Sequence, residues 1–185
     1  KPPNMDRLAT EGVLFTNCVA NSPVCVPTRL SMATGLYPHN TRVWNNVNHS
    51  MGAKTPTWMQ CIRKAGYRTS LFGKTHLHPH QGDLREREDL MHAYGLDDVN
   101  EIGGPRASCR VKSHMTLHWE EQGLWDAYRE DFKERFSNKA HVVRPSPLGL
   151  ENYYDTYVGN KASEYLASYS REKPWFCWVS FGGPH

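Results

Sequence analysis

The sequence predicts an α/β fold, a mostly parallel sheet flanked by helices. Three observations carry that expectation. Helix and strand signals alternate along the chain, as layered α/β folds require. The run Trp175 to Phe181 is continuously apolar, as strands covered on both faces are. Polar clusters follow the strands, where open α/β sheets place their ligands.

In order, Asn4 to Ala9 suits a helix closed at Glu11-Gly12 by a glycine just past its end. Val13 to Val19 is β-branched and apolar and reads as a strand, broken by Asn21-Ser22-Pro23. From Cys25 to Gly35, a proline near the start and a terminal glycine bracket a short helix, with Cys25 at or just before its N-terminus. Thr55 and Pro56 open another helix, with Trp58, Cys61, Ile62 and Ala65 on one face and Gly66 at its end, which makes Cys61 a core residue. Tyr67 to Phe72 reads as a strand running into Gly73-Lys74-Thr75-His76. Residues 78–123 read as an irregular excursion rich in His, Gly, Arg and Asp, with no assigned strand. Asp126 to Phe136 is a charged helix, Arg144-Pro145-Ser146-Pro147 a loop, and Asp155 to Ser170 a longer helix before the last strand.

Composition narrows the function classes. Among 185 residues, 38% hydrophobic content marks a globular chain, and 22 Lys and Arg against 19 Asp and Glu leave only +3, too weak to argue for nucleic acid. No run approaches the roughly 20 apolar residues of a membrane span. Five cysteines with no C-x-x-C pair fit neither a zinc ribbon nor a disulfide knot. Cys18, Cys61 and Cys177 sit at apolar positions and read as core, whereas Cys109 has no evident place.

Three polar clusters each follow an expected strand: Cys25-x-Pro-Thr-Arg29, Lys74-x-His76, and His185. A cysteine at a helix N-terminus faces free N–H groups and a positive dipole end. Arg29 and Lys74 add fixed charge, and His76 and His185 can move protons near neutral pH. Together they suit a tetrahedral oxyanion. Taken singly, each has an ordinary reading: a buried thiol, a solvated lysine, a chain-end histidine. A cysteine phosphatase needs arginine six positions after its cysteine, where Ser31 stands. His76-Leu77-His78-Pro79-His80 is reminiscent of a metal tract, but Pro79 interrupts it; Gly103-Gly104-Pro105 lacks the lysine and hydroxyl of a phosphate loop.

The stretch Ser22 to His39, containing Cys25-Val26-Pro27-Thr28-Arg29, resembles the signature of the type I, formylglycine-dependent sulfatases. Asn4 to Gly12, Gly73 to Leu77 and Pro174 to His185 are similar as well, leaving about 81–150 outside the likeness. The resemblance implies an alkaline-phosphatase-like fold in which residues 1–185 form part of one sulfatase catalytic domain, incomplete at both ends. It implies that a formylglycine-generating or anaerobic sulfatase-maturating enzyme oxidises Cys25 to formylglycine, whose hydrate supplies two hydroxyls, one to attack sulfur and one to expel sulfate. By the same resemblance, converted Cys25 is nucleophile and metal ligand, and Arg29 holds the formylglycine. Lys74 contacts sulfate, His76 assists the expulsion, and His185 protonates the leaving oxygen. Calcium or another divalent cation belongs to such sites, with its paired aspartates expected before residue 1 and further ligands after residue 185, so these residues alone are expected to be inactive.

The expected substrate is a sulfated carbohydrate or other sulfate ester. A phosphonate monoester or phosphodiester hydrolase of the same superfamily and a non-catalytic binder of sulfated glycan are the alternatives. His78, Arg106 and His118, with His80, Arg85, Arg87, Arg110, His114 and Trp119, fall in the excursion, where they form either a solvated surface or a pocket wall suited to an anionic sugar. The compartment is open, although the family resemblance favours export to the periplasm, the extracellular space or the lysosome.

Overall fold

The computed structural model describes residues 2–47, 49, 51–137 and 143–183, so Pro184 and His185 lie outside the described residues. Helices α1 (Pro3–Glu11), α2 (Cys25–Thr34), α3 (Pro38–Thr41) and α4 (Trp58–Lys64) precede strand β1 (Arg68–Gly73). A 3-10 turn (Leu84–Arg87), α5 (Glu88–Ala93), β2 (Asp98–Glu101), α6 (Pro105–Ser108), α7 (His114–Glu121), α8 (Trp125–Ser137), α9 (Tyr154–Ser168) and β3 (Trp175–Ser180) complete the order.

The three strands form a sheet in the order β2-β1-β3, and both pairings are parallel. The mostly parallel α/β expectation therefore holds. Because side chains alternate along a strand, β1 feeds two cores. Leu71 joins Val26, Leu30, Met59, Leu77 and Tyr94 on the face covered by α2, α4 and α5. Phe72 joins Ile102, Trp119, Tyr128, Tyr157 and Val158 on the face covered by α7, α8 and α9. Each such side chain contributes about 1.5 to 3 kcal/mol on burial. Among the described residues no helix is long and apolar enough to cross a membrane.

Four expectations change. Val13 to Val19 is not a strand: it turns at Thr16-Asn17, and Val13, Leu14, Phe15 and Val19 are 67 to 88% exposed. β-propensity becomes a strand only against a partner edge, and this run pairs with none among the described residues. Cys18, which lies in it, is exposed rather than core. Helix α4 is capped by Thr57, whose side chain accepts from the Gln60 backbone, so the helix starts two residues later than Thr55 implies. Within it Met59 is the core residue and Cys61 is exposed, contrary to the expectation. Finally, residues 78–123, read as an irregular excursion with no assigned strand, contain β2, which is hydrogen-bonded to β1 in the sheet. Cys177 is half-buried on β3, and Cys109 packs half-buried beside the α7–α9 core.

Candidate active site

The carboxyl ends of β1, β2 and β3 and the N-terminus of α2 meet at one place. α2 begins at Cys25 with no side-chain cap on its first turn, and the Val26 N–H donates to Asn46 Oδ1 at 2.9 Å. Four residues along, one helical turn, Arg29 Nη1 donates to the Lys74 carbonyl at 2.7 Å and to Ser180 Oγ at 3.3 Å. Arg29 thus ties α2 to the ends of β1 and β3. Gly73 ends β1 with φ of 114°, and a Cβ there would strike the Ser180 carbonyl, so only glycine lets the two strands run this close into Lys74.

Lys74 is 4% exposed, and no hydrogen bond or ion pair among the described residues satisfies its ammonium. Burial lowers its pKa first and neighbouring Arg29 lowers it further, while Cys25 acts in the opposite sense. Arg29 is also lowered by burial, with Cys25 and Glu101 raising it. Cys25 is therefore within electrostatic reach of both cations. Gly104 closes over Lys74, and a Cβ there would lie 2.9 Å from Nζ.

His76 sits in the left-handed region at φ 58°, uncommon for a residue with a side chain. Its pKa is pushed down to about 3, by burial first and then by His80, Lys74, His49 and Arg29, which favours the neutral imidazole. His76 Nδ1 is buried without a partner, and its ring lies 4.7 Å from that of His80. Behind this pair, Glu101 ends β2. Its carboxylate accepts from His78 Nε2 at 2.7 Å, from His80 Nε2 at 3.2 Å and from Thr75 Oγ1. Burial drives its carboxyl up, but these partners outweigh burial and hold it well below the usual carboxylate range.

A cleft of about 700 Å³ opens here, lined by Asn46, His49, Lys74, His76, His80, Gly104, Arg106, Arg110, Phe132 and Phe136, among others. Arg106 lies over the Phe136 ring at 6.0 Å. The structure thus brings together Cys25, Arg29, Lys74 and His76, with Arg106 on the cleft wall. His78 is buried behind the wall on Glu101 rather than on it. His118 lies apart on α7, its ring 5.6 Å from Tyr157 and its Nε2 3.3 Å from Asn152 Oδ1, and Trp119 is core. His185 lies outside the described residues. The turn before it is clamped: Asp155 of α9 accepts from the Gly182 and Gly183 N–H groups at 2.7 and 3.1 Å.

Sequence reasoning missed Glu101, His49 and Asp155. Glu101 closes the short polar strand Asp98-Val99-Asn100-Glu101, which carries no apolar alternation to read. The one signal near it is the glycine pair that follows, Gly103-Gly104.

The profile of the sulfatase family matches residues 1–185. The chain belongs to the sulfatase family. It is 42% identical over 125 residues to arylsulfatase K of Xenopus laevis, covering 63% of this chain and 22% of that protein. It is 27% identical over 183 residues to an N-acetylglucosamine-6-O-sulfatase of Bacteroides thetaiotaomicron, covering 99% of this chain and 26% of that one. The chain therefore spans about a quarter of the length of these relatives. Among solved structures, a phosphonate monoester hydrolase from Silicibacter pomeroyi superposes with a TM-score of 0.70 at 23% identity, covering all of this chain and 37% of that one, a likeness of fold. The sulfatase resemblance and the alkaline-phosphatase-like fold stand together.

Proposed function

We propose that the whole protein hydrolyses a sulfate ester, and that residues 1–185 are the part of its catalytic domain carrying Cys25 and the sulfate-binding cations. The buried Lys74 side chain, with no carboxylate paired to it among the described residues and set beside Arg29 and the α2 N-terminus, is the observation that carries this reading. A bound sulfate oxygen supplies a partner for that ammonium, and such a charge-assisted bond is stronger than a neutral one.

Cys25 fits conversion to formylglycine, because a group that must carry negative charge is favoured at a helix N-terminus flanked by two cations. When present, that group supplies the hydrated aldehyde, one hydroxyl for attack on sulfur and one for release of sulfate. Arg29 anchors the end of α2 and lends positive potential at Cys25. Lys74 holds sulfate oxygens, and His76 is assigned the proton of the expulsion step through the family resemblance. His185 is assigned the leaving oxygen through the family resemblance. The described residues contain no group of three or more His, Cys, Asp or Glu able to hold a metal ion, so by themselves they do not make the calcium site that the resemblance implies.

The relatives' names, which include a sulfatase of a sugar, support a sulfated carbohydrate as substrate. Arg106 over Phe136 at the cleft wall suits an anionic sugar. The test is turnover by the whole protein, made in a host with a formylglycine-generating enzyme, on p-nitrophenyl sulfate and on a p-nitrophenyl phosphonate monoester. Sulfate release that falls by about a hundredfold or more in Lys74→Ala is the expected result. Preference for the phosphonate supports the rival hydrolase, and turnover of neither supports a sulfated-glycan binder.

A further inference from the structure

The Glu101 cluster has no part in the chemistry assigned to the cleft, yet it is the most deeply buried charge among the described groups of the site. Its side chain and that of His78 are each 2% exposed, and that of His80 is 3% exposed. Among the described residues no lysine or arginine is paired with the carboxylate. A buried carboxylate held by imidazoles and a hydroxyl is costly to maintain unless all its oxygens are satisfied. Here both are used: Oε2 by His78, Oε1 by His80 and Thr75.

The bonds also fix where the protons are. A carboxylate only accepts, so His78 and His80 each donate through Nε2. His78 Nδ1 faces the Pro79 carbonyl at 3.1 Å, which also only accepts, so His78 carries both protons and balances the charge of Glu101. His80 Nδ1 is buried and meets no acceptor, so a proton placed there would be left without a partner. The His80 ring lies against the His76 ring at 4.7 Å with a 34° tilt, a packing contact rather than a hydrogen bond, since the Nδ1 atoms of both rings are buried without a partner. On the other side His49 meets His76 edge-on at 5.5 Å, and its Nε2 donates to the His76 carbonyl at 3.1 Å. Lys74 and Arg29 supply the charges facing the ring.

We propose that Glu101 is a positioning residue for His76: it locks His80 as the Nε2–H tautomer and holds its plane, and His80 in turn fixes the His76 ring against the cleft. The proposal deepens the functional reading, since it rests on His76 as the proton acceptor. A misaligned acceptor slows the chemical step while leaving anion binding to Lys74 intact.

The test compares the whole protein with Glu101→Gln, which keeps the shape and removes the charge. Histidine labelled with nitrogen-15 reports each ring's tautomer in two-bond proton–nitrogen spectra, and the same samples are assayed on p-nitrophenyl sulfate. A single Nε2–H tautomer at His80 is expected in the parent and a mixture in the variant. With it, kcat should fall by about tenfold or more while KM stays within about twofold. An unchanged His80 tautomer overturns the proposal, as does a kcat within about twofold of the parent. Should the protein show no sulfatase activity at all, the functional reading fails while the tautomer comparison still decides this one. If Glu101→Gln does not fold, His80→Phe keeps a ring under His76 and His80→Ala does not. The first should retain about tenfold more kcat than the second, and equal values overturn the proposal.

Discussion

The two ends of the β1–β2 pair carry the same kind of charge pairing in opposite settings. At the amino end, Arg68 donates to both carboxylate oxygens of Asp98 at 2.7 and 2.5 Å, and Tyr165 donates to the same carboxylate at 2.8 Å. At the carboxyl end, three residues further along β2, Glu101 is enclosed by His78, His80 and Thr75. The side chains of the first pair are 45% and 29% exposed, those of Glu101 and His78 2% each. Water screens the first pair, so its better geometry buys little stability. The second is unscreened, and losing one partner strands a buried charge. Distance alone would rank the two pairs alike, whereas burial ranks them far apart and places the consequential one next to the cleft.

The largest effect expected from this contrast is on Glu101→Ala, which should lower the unfolding free energy by about 3 to 5 kcal/mol in urea titrations. Its pH dependence follows from the shifts. The Glu101 carboxyl is held below its usual 4.5, so its contribution is present above that pH and fades as pH falls toward the folded value. His78 is subject first to burial, which lowers it, but its bonds to Glu101 win and raise it above its usual 6.5. Its contribution is present below 6.5 and fades as pH rises through the folded value. The difference between parent and variant should therefore peak between pH 4.5 and 6.5. A loss below about 1 kcal/mol, or one that keeps growing toward alkaline pH, breaks the comparison. The smallest effect is on Arg68→Ala, expected at about 0.5 kcal/mol and shrinking further in high salt. A loss of several kcal/mol there would put the two ends on a par.

Much of the cleft was legible in the sequence because its residues follow local signals. The proline and glycine bracketing Cys25 to Gly35 place Cys25 at the start of α2, and the β-rich run before Gly73 places Lys74 and His76 just past β1. What was not legible depends on pairing at a distance. Val13 to Val19 has the composition of a strand without a partner edge, and Asp98 to Glu101 is a strand whose composition is polar. It becomes one because Asp97 is tied to Thr69, through its backbone N–H and its carboxylate, and because β1 offers a free edge. The role of Glu101 was invisible for the same reason, since its partners His78 and His80 lie more than twenty residues upstream. On α4 the buried position is Met59 rather than Cys61, because the neighbours that cover the helix, not its own spacing, decide which face is inside.

The proposed conversion of Cys25 to formylglycine can be read from a single peptide. The most direct measurement is the mass of the peptide carrying Cys25, with and without an aldehyde-reactive probe, from the whole protein made in a host with the formylglycine-generating enzyme. The account predicts an aldehyde at Cys25 that the probe captures. An unmodified thiol there in that host would contradict it and leave an anion-binding, non-catalytic cleft as the better account.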